Sequence, residues 1–228
     1  MSNKHMTKIL CAGDPRGDAA ALESVVAKGG DTFDAVALVG DLGGPAANYR
    51  SVLGTLGSVG RPAYWVPGRH DAPIGEYLEE AYNIETVFPL LRGVHGTLAI
   101  APGHVLFAGL GGEISDDPRT PRDEVEELRY PRWEAEYRLK VLRELDEHET
   151  VLLFGTTPLH KGEHTGESEI VAELIATYRA RLAVCAGPPA SQVLGRSLVV
   201  SPGSVTEGQY AIADLQARAV DLKALAAA

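Results

Sequence analysis

The chain has 228 residues, 45% of them hydrophobic and 23% charged, the composition of a folded globular protein long enough to bury a full core. Its 21 Lys and Arg stand against 31 Asp and Glu, a formal net charge of −10, so the average field repels polyanions and no nucleic-acid partner is expected. No apolar run approaches the roughly 18 residues of a membrane span and the polar start carries no hydrophobic leader, so no membrane is expected and the location reads as cytoplasmic.

Residues 1–6 and 223–228 read as tails around one domain over 7–222. A short apolar run, 8–12, ends in Gly13-Asp14, and the spacing Ala19, Leu22, Val25, Val26 predicts a helix over 19–26 with Asp18 as its N-cap. The pattern repeats with a strand over 35–39 ending at Gly40-Asp41 and a helix over 46–56 entered through Pro45. A third strand, 63–66, closes at Pro67-Gly68 before a helix over 74–81. This alternation predicts βαβ units with a parallel sheet, whose ligand site lies at the carboxyl ends of the strands.

The middle of the chain changes character. Strands over 97–101 and 105–110, separated by Pro102-Gly103, read as a hairpin, followed by Gly111-Gly112-Glu113 and a polar loop through Pro121. Residues 122–147 read as charged helix broken near Pro131, with Tyr137, Val141, Leu142 and Leu145 as its apolar stripe. Beyond it come a strand over 151–154, a helix over 168–178 and a buried strand over 181–186. Strands over 198–200 and 209–215 follow, the latter placed to pair with 217–222. The two cysteines, Cys11 and Cys185, sit in apolar strands and read as core thiols of a reduced compartment.

Four motifs fall at strand ends: Asp14-Pro15-Arg16, Gly40-Asp41, Gly68-Arg69-His70-Asp71 and Gly187-Pro188-Pro189-Ala190. In order and placement they resemble the calcineurin-like metallophosphoesterases, whose pattern is Asp-x-His, Gly-Asp, Gly-Asn-His-Asp or Glu, a later His, and Gly-His-x-His. The resemblance runs over nearly all of the chain and implies an α/β fold of two packed mixed sheets flanked by helices. In that family the pattern holds two metal ions that clamp a phosphate and activate a water for in-line attack. Carried over, Asp14 matches the first Asp, Asp41 the bridging Asp and His70 the catalytic His beside the phosphate. Arg16 stands where a ligand His is expected, Arg69 where the Asn is, Gly155 where the later His is, and Pro188 and Ala190 where the last two imidazoles are. The closing turn Ser201-Pro202-Gly203-Ser204 also resembles the family's Asn-Pro-Gly-Ser.

Two carboxylates without imidazole support suit no closed dinuclear centre. No tightly held cofactor is expected, the alternative being one weakly bound Mn²⁺, Mg²⁺ or Ca²⁺ on Asp14 and Asp41. Arginine pairs bidentately with carboxylates and phosphates, so Arg16 and Arg69 are expected to take up part of the lost cations' volume and charge. They would pair with Asp14 and Asp41 and leave donors for a small phosphate-containing ligand, with His70 beside it. A repaired, inert site is the plainer reading of the same residues. Two weaker candidates are a zinc site on His160, Glu163 and His164, in what reads as a loop, and a pocket contact from Gly111-Gly112-Glu113.

Three functions follow. The first is a metal-depleted homologue that binds a phosphate-bearing ligand or a partner at the former active site, with little conventional hydrolysis. The second is an atypical phosphoesterase with a single labile metal on Asp14 and Asp41 and His70 as general acid or electrostatic helper. The third is an oligomeric assembly module, in which the segment between Tyr130 and Arg138, with its interleaved aromatics and arginines, forms the contact between copies.

Overall fold

The computed structural model describes residues 6–43, 48–158 and 167–225. His160, Glu163 and His164, the zinc candidates, lie outside these described residues, as do Pro45 and Ala46 at the predicted helix start.

In chain order the elements are β1 (Lys8–Gly13), α1 (Ala19–Gly29), β2 (Ala35–Val39), α2 (Tyr49–Ser58), β3 (Ala63–Trp65), α3 (Ile74–Val87) and β4 (Leu91–Gly93). They continue with β5 (Leu98–Ile100), β6 (Leu106–Leu110), β7 (Glu113–Ser115), β8 (Arg129–Pro131), α4 (Arg132–Leu139), β9 (Thr150–Phe154), β10 (Thr157–Pro158) and β11 (Glu167–Ser168). The rest are α5 (Glu169–Tyr178), β12 (Leu182–Cys185), β13 (Ala190–Leu194), β14 (Ser197–Ser201), β15 (Gln209–Asp214) and β16 (Ala219–Ala224).

Two six-stranded sheets form the body, in the orders β16-β15-β1-β2-β3-β4 and β13-β14-β12-β9-β6-β5. β1 to β4 run parallel in the first sheet, and β14, β12, β9 and β6 in the second; antiparallel pairs complete the rest, β15 with β1 and β16, β5 with β6, and β13 with β14. This is the two-sheet α/β sandwich that the resemblance implies.

Strand periodicity sorts the core. Ile9 and Cys11 of β1 and Val151 and Leu153 of β9 point between the sheets, where they meet Val39, Phe107, Val184 and Ala211. The alternate residues Leu10, Ala12, Leu152 and Phe154 point outward under the helices, against Leu22, Val25, Leu53 and Leu174. Because both faces are covered, β2, β6, β9 and β14 are buried end to end and read as unbroken apolar runs. Tyr64 and Phe107 stack at 3.8 Å between the layers. Asp18 caps α1 as expected, its carboxylate accepting from the Ala21 N–H at 2.9 Å.

The segment 122–147 departs from the expected broken helix. Arg129–Pro131 is a strand parallel to β7, and the helix proper runs only over Arg132–Leu139, followed by a 3₁₀ stretch Lys140–Glu144. Pro131 holds Tyr130 in extended backbone, and extended backbone there suits the pairing with Ile114. The inward face of α4 carries Glu134, Ala135 and Leu139; of the expected stripe, Leu142 is buried and Leu145 packs against the core, while Tyr137 and Val141 are 62% and 40% exposed. Glu134 turns inward because its carboxylate pairs with Arg122 at 3.0 Å and Arg138 at 2.7 Å.

Candidate functional site

All the motif residues sit beyond the carboxyl ends of the parallel strands: Asp14 and Arg16 after β1, Asp41 after β2, Arg69 and His70 after β3, and Gly155 after β9. The loop after β1 extends the sheet pattern past its last strand residue. The Asp14 N–H donates to the Val39 carbonyl at 3.0 Å, that of Arg16 to Asp41 at 2.9 Å and that of Gly17 to Leu42 at 2.8 Å. These bonds hold Asp14 and Arg16 at φ of 43° and 48°, a left-handed conformation that costs a non-glycine residue about 1 kcal/mol or more. The Ser204 hydroxyl, from the closing turn, donates to the Asp14 carbonyl at 2.9 Å and supports the same loop from behind.

The carboxylates lean directly on backbone. Asp14 Oδ1 accepts from the Asp41 N–H at 3.0 Å, and Asp41 Oδ1 accepts from the His70 N–H at 3.1 Å. A Cβ at Gly40 would run into Asp14 Oδ1, and one at Gly68 into Asp41 Oδ1, which is why both motifs need glycine there. Burial pushes the Asp14 carboxyl above its ordinary value and the neighbouring charge of Asp41 adds to the rise, while the Asp41 N–H and Arg16 pull it down.

His70 Nδ1 lies 2.8 Å from Asp41 Oδ2, and a carboxylate can only accept, so Nδ1 carries the proton. That leaves Nε2 as the outward nitrogen of a ring that is 74% exposed. The Arg16 guanidinium lies 3.5 Å from Asp14 Oδ2 and 4.0 Å from Asp41 Oδ2, bridging both carboxylates as expected. Arg69 does not. Its guanidinium turns the other way to Glu113 Oε2 at 2.9 Å, because β7 brings that carboxylate alongside, with Arg129 at 3.8 Å from the same oxygen. The expectation that Arg69 pairs with Asp14 or Asp41 is therefore corrected, and Gly111-Gly112-Glu113, expected to touch the pocket, reaches it only through the pairing of Glu113 with Arg69.

Arg16, Asp41, Arg69 and His70 line one cavity of about 670 Å³, with Glu126 and Glu127 on its far wall. Arg69 also lines a second cavity of about 370 Å³ between β7, the turn after β9 and the start of α5. Both volumes fall in the range of small-molecule sites.

Asp71 has a role its motif position did not suggest. Fully buried, it accepts from the N–H groups of Leu42 at 2.8 Å, Gly43 at 2.9 Å and Gly68 at 2.8 Å, tying the loop after β2 to the loop after β3. Burial pushes its carboxyl up to about 6, against the downward pull of those three donors and with some further rise from Asp41. The likeness of Gly68-Arg69-His70-Asp71 to a helix-start motif, with an acid three residues after the turn, was the available signal.

The donor set does not fit a dinuclear metal centre. Among the described residues no three His, Cys, Asp or Glu side chains converge to hold an ion. Asp41 has both oxygens engaged by His70, and the outer oxygen of Asp14 faces a guanidinium. The Gly155 position is closed to an imidazole: a Cβ there would come within 2.6 Å of the Gly112 nitrogen and 2.7 Å of its carbonyl oxygen. Pro188 and Ala190 are exposed and offer no ligand atoms from their side chains.

A family model described as metallophosphoesterase, calcineurin superfamily, matches residues 47–225, a span that includes Arg69 and His70 and begins after Asp14, Arg16 and Asp41. No curated protein matches the chain. Among solved structures, the TT1561 protein of Thermus thermophilus is 43% identical with a TM-score of 0.89, over 96% of this chain and 99% of that one. A phosphopantetheinyl hydrolase from Mycobacterium tuberculosis (13% identity, TM-score 0.58, 88% of this chain and 91% of that one) shares the fold. So does an NAD nucleotidase from Haemophilus influenzae (8%, TM-score 0.52, 95% of this chain and 55% of that one). With the strand-end motifs, the two-sheet sandwich and a family match over most of its length in agreement, the chain belongs to the calcineurin superfamily of metallophosphoesterases.

Proposed function

We propose that this protein binds a small phosphate-containing ligand at the former metallophosphoesterase site, with little metal-dependent hydrolysis. The observation that carries the reading is the Arg16 guanidinium, fixed against Asp14 and Asp41 yet 56% exposed on the wall of the 670 Å³ cavity that Arg69 and His70 also line. A guanidinium has five N–H donors in a planar fork, so two carboxylate contacts leave donors for phosphate oxygens. His70, held by Asp41 through Nδ1–H, adds Nε2–H as a further donor in its imidazolium form. Titrating inorganic phosphate calorimetrically into the wild type and Arg16→Gln tests this. Binding by the wild type that weakens about tenfold or more in the variant is expected for loss of a charge-assisted contact. Wild-type protein that takes up no phosphate overturns the reading.

His70 also favours a second reading. A ring held Nδ1–H to carboxylate with Nε2 turned to a cavity is placed, in its imidazolium form, to give the Nε2 proton to a leaving group. The protein would then be an atypical phosphoesterase with one labile divalent ion on Asp14 and Asp41. Its mark is metal-dependent turnover of an aryl phosphate that disappears in Asp41→Asn; turnover unaffected by chelation or by that substitution removes it.

Self-association through the 130–138 segment stands on a narrower footing than the sequence suggested. Tyr130 is wholly buried within the chain, so a contact between copies would rest on Trp133 and Tyr137, one helical turn apart and 61% and 62% exposed. Light scattering on the wild type and a Trp133→Ala, Tyr137→Ala double variant decides it, a monomer in both cases ending the proposal.

A further inference from the structure

The 370 Å³ cavity adjoins the phosphate site at Arg69, and its wall is built from groups that accept hydrogen bonds. Of the hydroxyls on that wall, Ser115 shares one hydrogen bond with Thr120 at 2.8 Å, in which either oxygen can donate, and the other three protons are already committed. Thr156 Oγ1 donates to the Gly112 carbonyl at 3.0 Å, Thr157 Oγ1 to the Ala186 carbonyl, and Ser168 Oγ to Asp116 Oδ1 at 2.6 Å. Thr156 Oγ1 and Ser168 Oγ also accept, from the Ile114 and Val171 N–H groups, so the acceptors with lone pairs to spare are Thr157 Oγ1, the Glu113 carboxylate beyond its pairing with Arg69, and Asp116 beyond the three bonds it accepts from Ser168, Glu169 and Ile170. No aromatic side chain is among its described lining residues, so these offer a nucleobase no ring to stack on.

We propose that the ligand is a phosphorylated polyol or sugar, its phosphate against Arg16 and Arg69 and its hydroxyls donating to Glu113, Asp116 and Thr157. The assignment rests on the phosphate-binding reading above and adds the class of ligand to it. Arg69 is the link, since its guanidinium lies on both walls and could hold the ester end while the hydroxyls reach the acceptor wall.

Calorimetric titration of the full chain with inorganic phosphate, ethyl phosphate, phosphoethanolamine, glycerol 3-phosphate and ribose 5-phosphate tests it. The polyol and sugar esters should bind at least about tenfold more tightly than ethyl phosphate, as two or more added hydrogen bonds imply. The ratio of ethyl to sugar ester dissociation constants should fall toward one in Thr157→Val and in Asp116→Asn. Should a variant fold poorly, the wild-type ratio still decides. If phosphate and ethyl phosphate bind but the hydroxylated esters gain nothing, the polyol assignment falls while phosphate binding stands. A preference for phosphoethanolamine over both hydroxylated esters also overturns it, in favour of a cationic ligand. If nothing binds, the phosphate reading and this one fall together.

Discussion

At the scale of single residues, the site is organised by carboxylates that hold backbone as well as charge. Asp71 is the extreme case, since its oxygens satisfy three buried N–H groups from two different loops. Asp71→Ala would leave those donors without partners in a space closed to bulk water, so a loss of about 3 kcal/mol or more in urea unfolding is expected. Asn would recover little, because its amide N–H₂ would face donors where Asp presents oxygen. Glu113 works in the other direction. It holds Arg69 at 2.9 Å and competes with any anion for that guanidinium. Glu113→Gln should free Arg69 and tighten inorganic phosphate binding by roughly threefold to tenfold, the scale of one charge-assisted contact partly released. Unchanged affinity in that variant would show that Arg69 takes no part in holding phosphate.

At the scale of elements, the excursion from β7 through α4 is held to the body by a buried polar chain that starts at His95. The Gly111 N–H donates to Nδ1 at 2.9 Å, so the proton of the neutral ring sits on Nε2 and is donated to the Tyr130 hydroxyl at 2.8 Å. Tyr130 in turn donates to Glu124 at 3.2 Å, and Glu124 also receives Arg138 at 2.9 Å and Arg122 at 2.6 Å. Burial holds the His95 imidazole below its ordinary value, with the charge of Arg138 adding to the drop and Glu124 opposing it. The unfolded chain takes up this proton near pH 6.5 and the folded chain only at lower pH. His95 therefore contributes stability that is present above about 6.5 and lost as pH falls below it. Urea unfolding across about pH 7 to about pH 5 should show a shallower acid loss in His95→Gln than in the wild type; equal slopes would place the titration elsewhere. This chain also shows what could be read from the residues alone. The strands were legible because burial on both faces leaves unbroken apolar runs, and α1 because Asp18, Leu22 and Val25 follow helical spacing. The excursion was not: Glu134 reads as a surface charge until Arg122 and Arg138 are brought beside it. Likewise Arg16 found its carboxylates within its own and the next loop, whereas the partner of Arg69 came from a strand far along the chain, with no local pattern to announce it.

At the scale of the whole molecule, the site is a seam between the two sheets, and each departs from the family's residue pattern in its own way. The first contributes Asp14, Arg16, Asp41, Arg69 and His70, with two arginines at pattern positions beside the two carboxylates. The second contributes Gly155 after β9, where backbone closes in, and the exposed Gly187-Pro188-Pro189-Ala190 turn after β12, which brings no imidazole. Gly112 and the Pro67 carbonyl pack against Gly155 so tightly that no side chain fits without backbone movement. Restoring residues on the first sheet alone should therefore not rebuild the family's pair of metals. In the double variant Arg16→His, Arg69→Asn, the carboxylates, one imidazole and one amide would gather on one side only, enough for at most one weakly held ion. Titration with Mn²⁺ followed by electron paramagnetic resonance should show no more than one ion per chain and no spin-coupled pair. A coupled dinuclear signal would mean that the second sheet can still open, and the closure at Gly155 would then be a conformational choice and not a fixed property of the fold. Adding Gly155→His to that double variant should lower the thermal midpoint without adding a second ion, because the new imidazole must displace the backbone of Gly112, in the turn after β6, and the Pro67 carbonyl before it can reach a metal.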